Sequence, residues 1–165
     1  MSDTVYVLDA NVFIEAANRY YAFDIAPGFW KNLVSRAGES RIVSIDHVHG
    51  ELRQGKDALA KWADEHFRVW FEKTDGPDIV ASYAEIMEWV QREERLTGAA
   101  REQFAGCADG WLVAYARAEN CVVVTEEVSR PASKAKVFIP DVCEPFGVPC
   151  LNTFQMMREA GIRLT

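Results

Sequence analysis

The sequence predicts an α/β fold, a central parallel sheet of about four to five strands with helices on both faces. Three observations carry this. Short apolar, β-branched runs alternate along the chain with longer segments of helical periodicity. The run Cys121-Val122-Val123-Val124 is apolar throughout, as an interior parallel strand must be when both of its faces are covered. And the runs end abruptly on polar or acidic residues, the pattern of strands that deliver side chains to the carboxyl edge of a sheet.

The first strand is Val5-Tyr6-Val7-Leu8, which stops on Asp9. Asn11 to Tyr21 reads as a helix with Val12, Ala16 and Tyr20 on one face and Asn11 placed to cap it. Pro27-Gly28 opens a second helix whose stripe of Phe29, Trp30, Leu33, Val34 and Ala37 ends at Gly38. Arg41 to Ile45 is the second strand, followed by a helix from Asp46 to about Gln54. A longer helix carries Leu59, Trp62, Ala63, His66, Phe67 and Trp70 at helical spacing, so His66 is expected in the core. Gly76-Pro77 ends that segment. Ile79, Val80, Tyr83, Ile86, Met87 and Val90 form one face of the next, and after Thr97-Gly98 another helix is expected to run from about Ala99 to Glu119. Beyond the third strand at Cys121–Val124, Val137-Phe138-Ile139 and Pro149-Cys150-Leu151 are further strand candidates, and Asn152 caps a last helix ending at Gly161. Neither repeats nor a linker divide the chain, so residues 1–165 are expected to form a single domain.

Composition excludes several function classes. Twenty-five acidic against eighteen basic residues give a net charge of −7, unsuited to coating nucleic acid by bulk electrostatics. It leaves room for a nucleic-acid enzyme whose acids hold a cation. Cys107, Cys121, Cys143 and Cys150 form no CxxC pair, which argues for reduced thiols in a cytoplasmic protein rather than a zinc site, and the apolar runs are too short to span a membrane. His47, His49 and His66 lack the spacing of a zinc hydrolase, and no GxSxG, GxxxxGK[ST] or GxGxxG motif occurs.

Candidate chemistry therefore falls to the carboxylates. Asp9 sits at a strand end, where it either caps the following helix or serves a site. Glu51 lies beside Val48 and Leu52 on its helix and, taken alone, reads as a surface residue. Asp109 is anomalous, because it falls in the apolar stripe of Ala105, Ala108, Leu112, Val113 and Ala116, and a buried carboxylate needs a cation, a hydrogen-bond network or a function. Thr125-Glu126-Glu127 follows the third strand and brings another acid to the edge that carries Asp9. Carboxylates that converge repel unless a divalent ion neutralises them, and an all-oxygen donor set suits Mg²⁺ or Mn²⁺. Arg130, Lys134 and Lys136 form a basic loop just beyond, a candidate phosphate contact.

In this order and at these element ends, Val7-Leu8-Asp9-Ala10-Asn11-Val12, Ser44 through Val48 to Glu51-Leu52, Ala108-Asp109 with Leu112 and Ala116, and Val123-Val124-Thr125-Glu126-Glu127 resemble a PIN domain, the metal-dependent nuclease fold of the VapC-like toxins. Ala26-Pro27-Gly28-Phe29-Trp30 and the segment from Ser133 to Cys143 look like a particular branch of that family. The resemblance implies that Asp9, Glu51 and Asp109 fall on the three core acidic positions and Glu127 on the fourth, which is usually Asp; Glu126 remains a competitor there. Asn11 falls on an often polar position, and Asp141 is a further candidate acid. It also implies hydrolysis of RNA phosphodiesters with one or two Mg²⁺ or Mn²⁺ ions, a protein antitoxin as partner, and a homodimer as a possible assembly. The alternatives are an RNA-processing nuclease that is not a toxin, and a PIN-like interaction module without turnover, which the Glu at position 127 favours. A phosphatase built on Asp9 would want a second Asp where this chain has Asn11.

Overall fold

A computed structural model describes residues 3–165. Five parallel strands form the sheet: β1 (Tyr6–Leu8), β2 (Ile42–Ile45), β3 (Phe71–Glu72), β4 (Val122–Val124) and β5 (Cys150–Leu151), in the spatial order β3-β2-β1-β4-β5. The most apolar strands take the middle. Tyr6, Val7 and Leu8 pair with Val122, Val123 and Val124 on one side, and Tyr6 and Val7 with Ile42 and Val43 on the other. Because β1 is central, the residue that follows it stands in the middle of the carboxyl edge, and that residue is Asp9.

Helices flank the sheet. They are α1 (Ala10–Glu15), α2 (Pro27–Gly38), α3 (Asp46–Gln54), α4 (Ala58–Trp62), α5 (Pro77–Arg92), α6 (Gly98–Ala105), α7 (Asp109–Glu119), α8 (Ile139–Cys143) and α9 (Thr153–Ala160). One apolar cluster joins them, from Phe13 and Phe29 through Leu112 and Val113 to Met156. Phe13, Trp62, Phe67 and Phe71 interlock as an aromatic block near the β3 edge. The helix α9 carries a full capping box, with Asn152 accepting from the Gln155 amide and Gln155 accepting from the Asn152 amide, each at 2.9 Å.

Several elements depart from their sequence reading. The first helix is capped by Asp9, whose Oδ1 accepts from the Ala10 amide at 2.8 Å, while Asn11 lies inside it and turns its side chain elsewhere. Both α1 and α4 pass into π-helical turns (Ala16–Tyr20 and Ala63–Phe67), and α4 then tightens into a 3₁₀ turn, Arg68–Trp70. That winding leaves His66 exposed rather than in the core and frees Phe71 to pair with Ser44 as an edge strand that the helical spacing had concealed. Val137-Phe138-Ile139 is no strand, since Ile139-Pro140 opens α8, where proline fits a first turn.

The largest departure concerns the segment from Ala99 to Glu119, which is two helices. The chain breaks between α6 and α7 at Gly106-Cys107-Ala108, so Ala105 is exposed and outside the apolar stripe, and Asp109 opens α7 instead of lying midway along a longer helix. Gly110 belongs to this junction: a Cβ there would lie 3.1 Å from both the Phe104 and Tyr83 rings, so a side chain would push these rings back where α7 starts against α5 and α6.

Candidate active site

Four elements bring acids to the carboxyl edge of the sheet. Asp9 follows β1 and is 4% exposed. Its Oδ1 is held by Ala10 and its Oδ2 accepts from the Thr125 hydroxyl at 2.8 Å, so both oxygens are fixed by the ends of two adjacent strands. Thr125 is also buried, and its Oγ1 accepts from the Glu127 amide at 3.1 Å and from Asn11 Nδ2 at 3.2 Å. Asn11 Oδ1 in turn accepts from the Glu126 amide at 3.0 Å. The loop after β4 is thus clamped to the start of α1.

That clamp sends the two glutamates apart. Glu126 turns to α9, where its Oε1 accepts from the Thr153 amide at 3.2 Å and from the Thr153 hydroxyl. Glu127 turns towards Asp9 and Asp109, with Oε1 accepting from the Ile139 amide at 2.8 Å and Oε2 lying 3.4 Å from Lys136 Nζ. Glu51, exposed on α3, reaches the opposite side, and its Oε1 accepts from the Ala108 amide at 3.2 Å, one of the free donors at the start of α7. Asp109 stands in that same first turn.

The electrostatics tie the four together. Burial, then the charge of Asp109, pushes the Asp9 carboxyl well above the usual carboxylate range; Glu127 adds to this, and the hydrogen bonds from Thr125 and Ala10 oppose it. Burial, then Glu127 and Glu51, raises Asp109 to about 7, with Lys136 pulling the other way. Among the described residues no three His, Cys, Asp or Glu side chains are already closed to coordination distance. Each of Asp9, Glu51 and Glu127 is instead engaged by a hydrogen bond, and Lys136 stands beside Glu127. The donor set nevertheless fits a hard divalent ion: it is all oxygen and partly buried, and Asp9 and Asp109 are raised by burial first and then by their neighbours' charges, both of which a cation relieves. The Cys107 thiol beside it is pushed up to about 12 by burial and then by Asp109, so it stays protonated and offers no soft ligand.

The other sequence candidates separate from this group. Asp141 is buried, but its oxygens accept from the Ser129 hydroxyl and, at 2.7 Å, from the Arg130 amide, so it staples the loop that leads back from Glu127. Arg130 and Lys134 are exposed, Arg130 lying over the Phe138 ring. Lys136 points into the acids, over Phe138 at 4.9 Å, and is their resident countercharge. Thr125 was given no role by the sequence, although a hydroxyl directly after a β-branched strand was the available signal.

The strand order, the all-parallel pairing and the acids at the central strand end define a PIN-like α/β fold. The comparison with solved structures agrees. The chain is similar to one in VapBC2 from Rickettsia felis bound to a DNA fragment from their promoter, with a TM-score of 0.55 and 17% identity over 90% of this chain and 98% of that one. It is similar also to a chain of FitAcB from Neisseria gonorrhoeae, with a TM-score of 0.58 and 18% identity over 91% and 99%. The chain belongs to the DUF4411 family, a domain of unknown function, whose sequence model matches residues 6–164. No curated protein matches it in sequence.

Proposed function

We propose that this protein is a divalent-metal-dependent endoribonuclease, with Asp9, Glu51, Asp109 and Glu127 as its metal-binding and catalytic acids, and that it acts as the toxin of a toxin-antitoxin pair. The observation that carries the reading is the mutual electrostatic strain of acids delivered by separate elements, with Asp9 buried at the end of the central strand. A purely structural role would not require acids from separate elements to raise Asp9 and Asp109 in this way. The motif resemblance to the VapC-like toxins and the fold shared with VapBC2 and FitAcB support the toxin assignment.

Asp9, Glu51, Asp109 and Glu127 would hold Mg²⁺ or Mn²⁺, which would supply Lewis acidity for attack of water on a phosphodiester and for charge on the leaving oxygen. The chain's own groups do the positioning. Thr125 fixes the rotamer of Asp9, the Ala108 amide holds Glu51, and the Ile139 amide holds Glu127. Lys136, tethered to Glu127, stands where a substrate phosphate would draw it away. No side-chain nucleophile is needed. With a net charge of −7, RNA affinity rests on the metal, on Lys136 and on the exposed Arg130 and Lys134.

A second reading, a domain of this fold without turnover, is favoured by the Lys136–Glu127 pair, since an ammonium already balances one acid. Hydrolysis of labelled single-stranded RNA by the purified protein separates the two: cleavage in Mg²⁺ or Mn²⁺, none in EDTA and none by Asp9→Asn supports the nuclease, and no cleavage under any of these conditions supports the rival.

A further inference from the structure

A cleft of about 490 Å³ opens beside the acids, between α3 and the turn that joins α6 to α7. Glu51 and Ala108 line it, so it shares a wall with the acid site, but Asp9, Asp109 and Glu127 lie outside it. Flat rings form its side. Trp111 stacks on Tyr83 with centroids 3.7 Å and planes 5° apart, and His47 stacks on Trp111 at 5.0 Å and 6°. Three helices, α5, α7 and α3, thus contribute one column of near-parallel rings. Among the described residues no further ring covers His47, whose side chain is 41% exposed.

The chemistry of the lining selects a ligand class. Neither Lys nor Arg lines the cleft, so it is not built for a phosphate. Asp46 is occupied, its carboxylate accepting from the Thr74 hydroxyl and the His47 amide. What remains is a flat π surface, the Gln54 amide, and Gly50, where a Cβ would meet nothing within 4 Å. A planar, edge-polar group meets these, and single-stranded nucleic acid presents such a group beside every phosphate.

We infer that this cleft is a nucleobase subsite: the base next to the phosphate held at the acids stacks on His47, at the end of the Trp111–Tyr83 column, with the Gln54 amide available to its edge. The location of the phosphate rests on the nuclease reading; the binding of the base is measured without turnover.

The test is fluorescence anisotropy of a labelled single-stranded RNA hexamer in Ca²⁺ with no Mg²⁺ or Mn²⁺, with the parent, His47→Ala and His47→Phe, and with hexamers carrying one abasic ribose at each position in turn. Loss of one stacked base should weaken binding about tenfold. His47→Ala is expected to show that loss and His47→Phe to bind as the parent does. One abasic position should cost the parent the same factor and cost His47→Ala nothing. Because His47 is exposed, all three proteins should melt together; if His47→Ala does not, the comparison of parent with His47→Phe and the abasic series carries the test. Binding that is undetectable, or that is indifferent to His47 and to every base, overturns the subsite. A parent that binds in the expected pattern yet hydrolyses no RNA in Mg²⁺ keeps the subsite and removes the nuclease reading, whereas hydrolysis without the pattern removes the subsite alone.

Discussion

The Thr125 hydroxyl donates to Asp9 Oδ2 at 2.8 Å and so ties together the ends of β4 and β1, the two strands at the heart of the sheet. The same oxygen accepts from Asn11 and from the Glu127 amide. Thr125→Val keeps the shape and removes all three bonds. Leaving a buried carboxylate oxygen without its donor costs about 1–3 kcal/mol. We expect a lower melting temperature, and weaker Mn²⁺ activation of RNA cleavage because Asp9 is then harder to ionise. Thermal melts and a metal titration of cleavage check this, and Thr125→Ser should restore both.

Raised carboxyl pKa values make the metal-free protein sensitive to base. A carboxyl whose folded-state pKa lies above its unfolded value of about 4 keeps its proton longer in the folded chain. That stability is fully present below the unfolded value and is lost as pH rises through the folded value, about 7 for Asp109. Asp9 is shifted in the same direction. In EDTA the melting temperature should therefore fall between pH 5 and pH 8. Asp109→Asn should flatten the fall and raise the melting temperature at pH 8 by several degrees, at about 2–4 °C per kcal/mol for a chain of this size. Were Asp109 half of a structural ion pair, the substitution would destabilise instead.

The Lys136 ammonium opposes this strain at Asp109. Lys136→Met should lower the melting temperature in EDTA by an amount near that of a half-exposed ion pair, about 0.2–1 kcal/mol, and added salt should recover part of it. Melts at two ionic strengths read the effect.

Asp141 separates loop architecture from chemistry. Asp141→Ala unties Ser129 and Arg130 from α8 and should cost about 1–3 kcal/mol of stability. Mn²⁺ binding should persist at temperatures where the variant is folded. Calorimetric titration and a melt distinguish this from a ligand's behaviour, which would lose metal affinity first.

How far the site was legible follows from the kind of signal each residue carried. Asp9, Glu51, Asp109 and the pair Glu126-Glu127 could be found because each interrupts or flanks an apolar pattern at an element end. The opposite directions of Glu126 and Glu127 could not, since they depend on Asn11 and Thr153 holding Glu126 away across the fold. Asp109 stands out in the sequence for a reason that holds in part: Leu112, Val113 and Ala116 are buried on its own helix, but Ala105 belongs to the preceding helix and is exposed. Lys136 was seen as a loop cation, but its direction is set by Glu127 and Phe138, long-range contacts that spacing does not encode. His47 carries no metal-ligand spacing to mark it in the sequence, and its stacking on Trp111 joins residues far apart in the chain. In the fold, the edge strand Phe71–Glu72 was hidden because the helical period of α4 runs on to Trp70.

Expression in a bacterial host tests the toxin assignment. The parent should arrest growth, Asp9→Asn should not, and co-expression of the adjacent reading frame should relieve the arrest. Growth of the parent equal to that of Asp9→Asn would remove the toxin assignment and leave an RNA-processing nuclease as the reading.

The central claim is that the acids around Asp9 form a divalent-metal site, and titration calorimetry of Mn²⁺ into the purified protein at pH 7.5 measures it most directly. The parent should bind with protons released as the raised carboxyls ionise, and Asp9→Asn and Asp109→Asn should each lose at least about tenfold in affinity, or about 1.4 kcal/mol, while Asp141→Ala binds as the parent does. Equal Mn²⁺ affinity in the parent and both Asn variants, or no binding by the parent, would contradict the account.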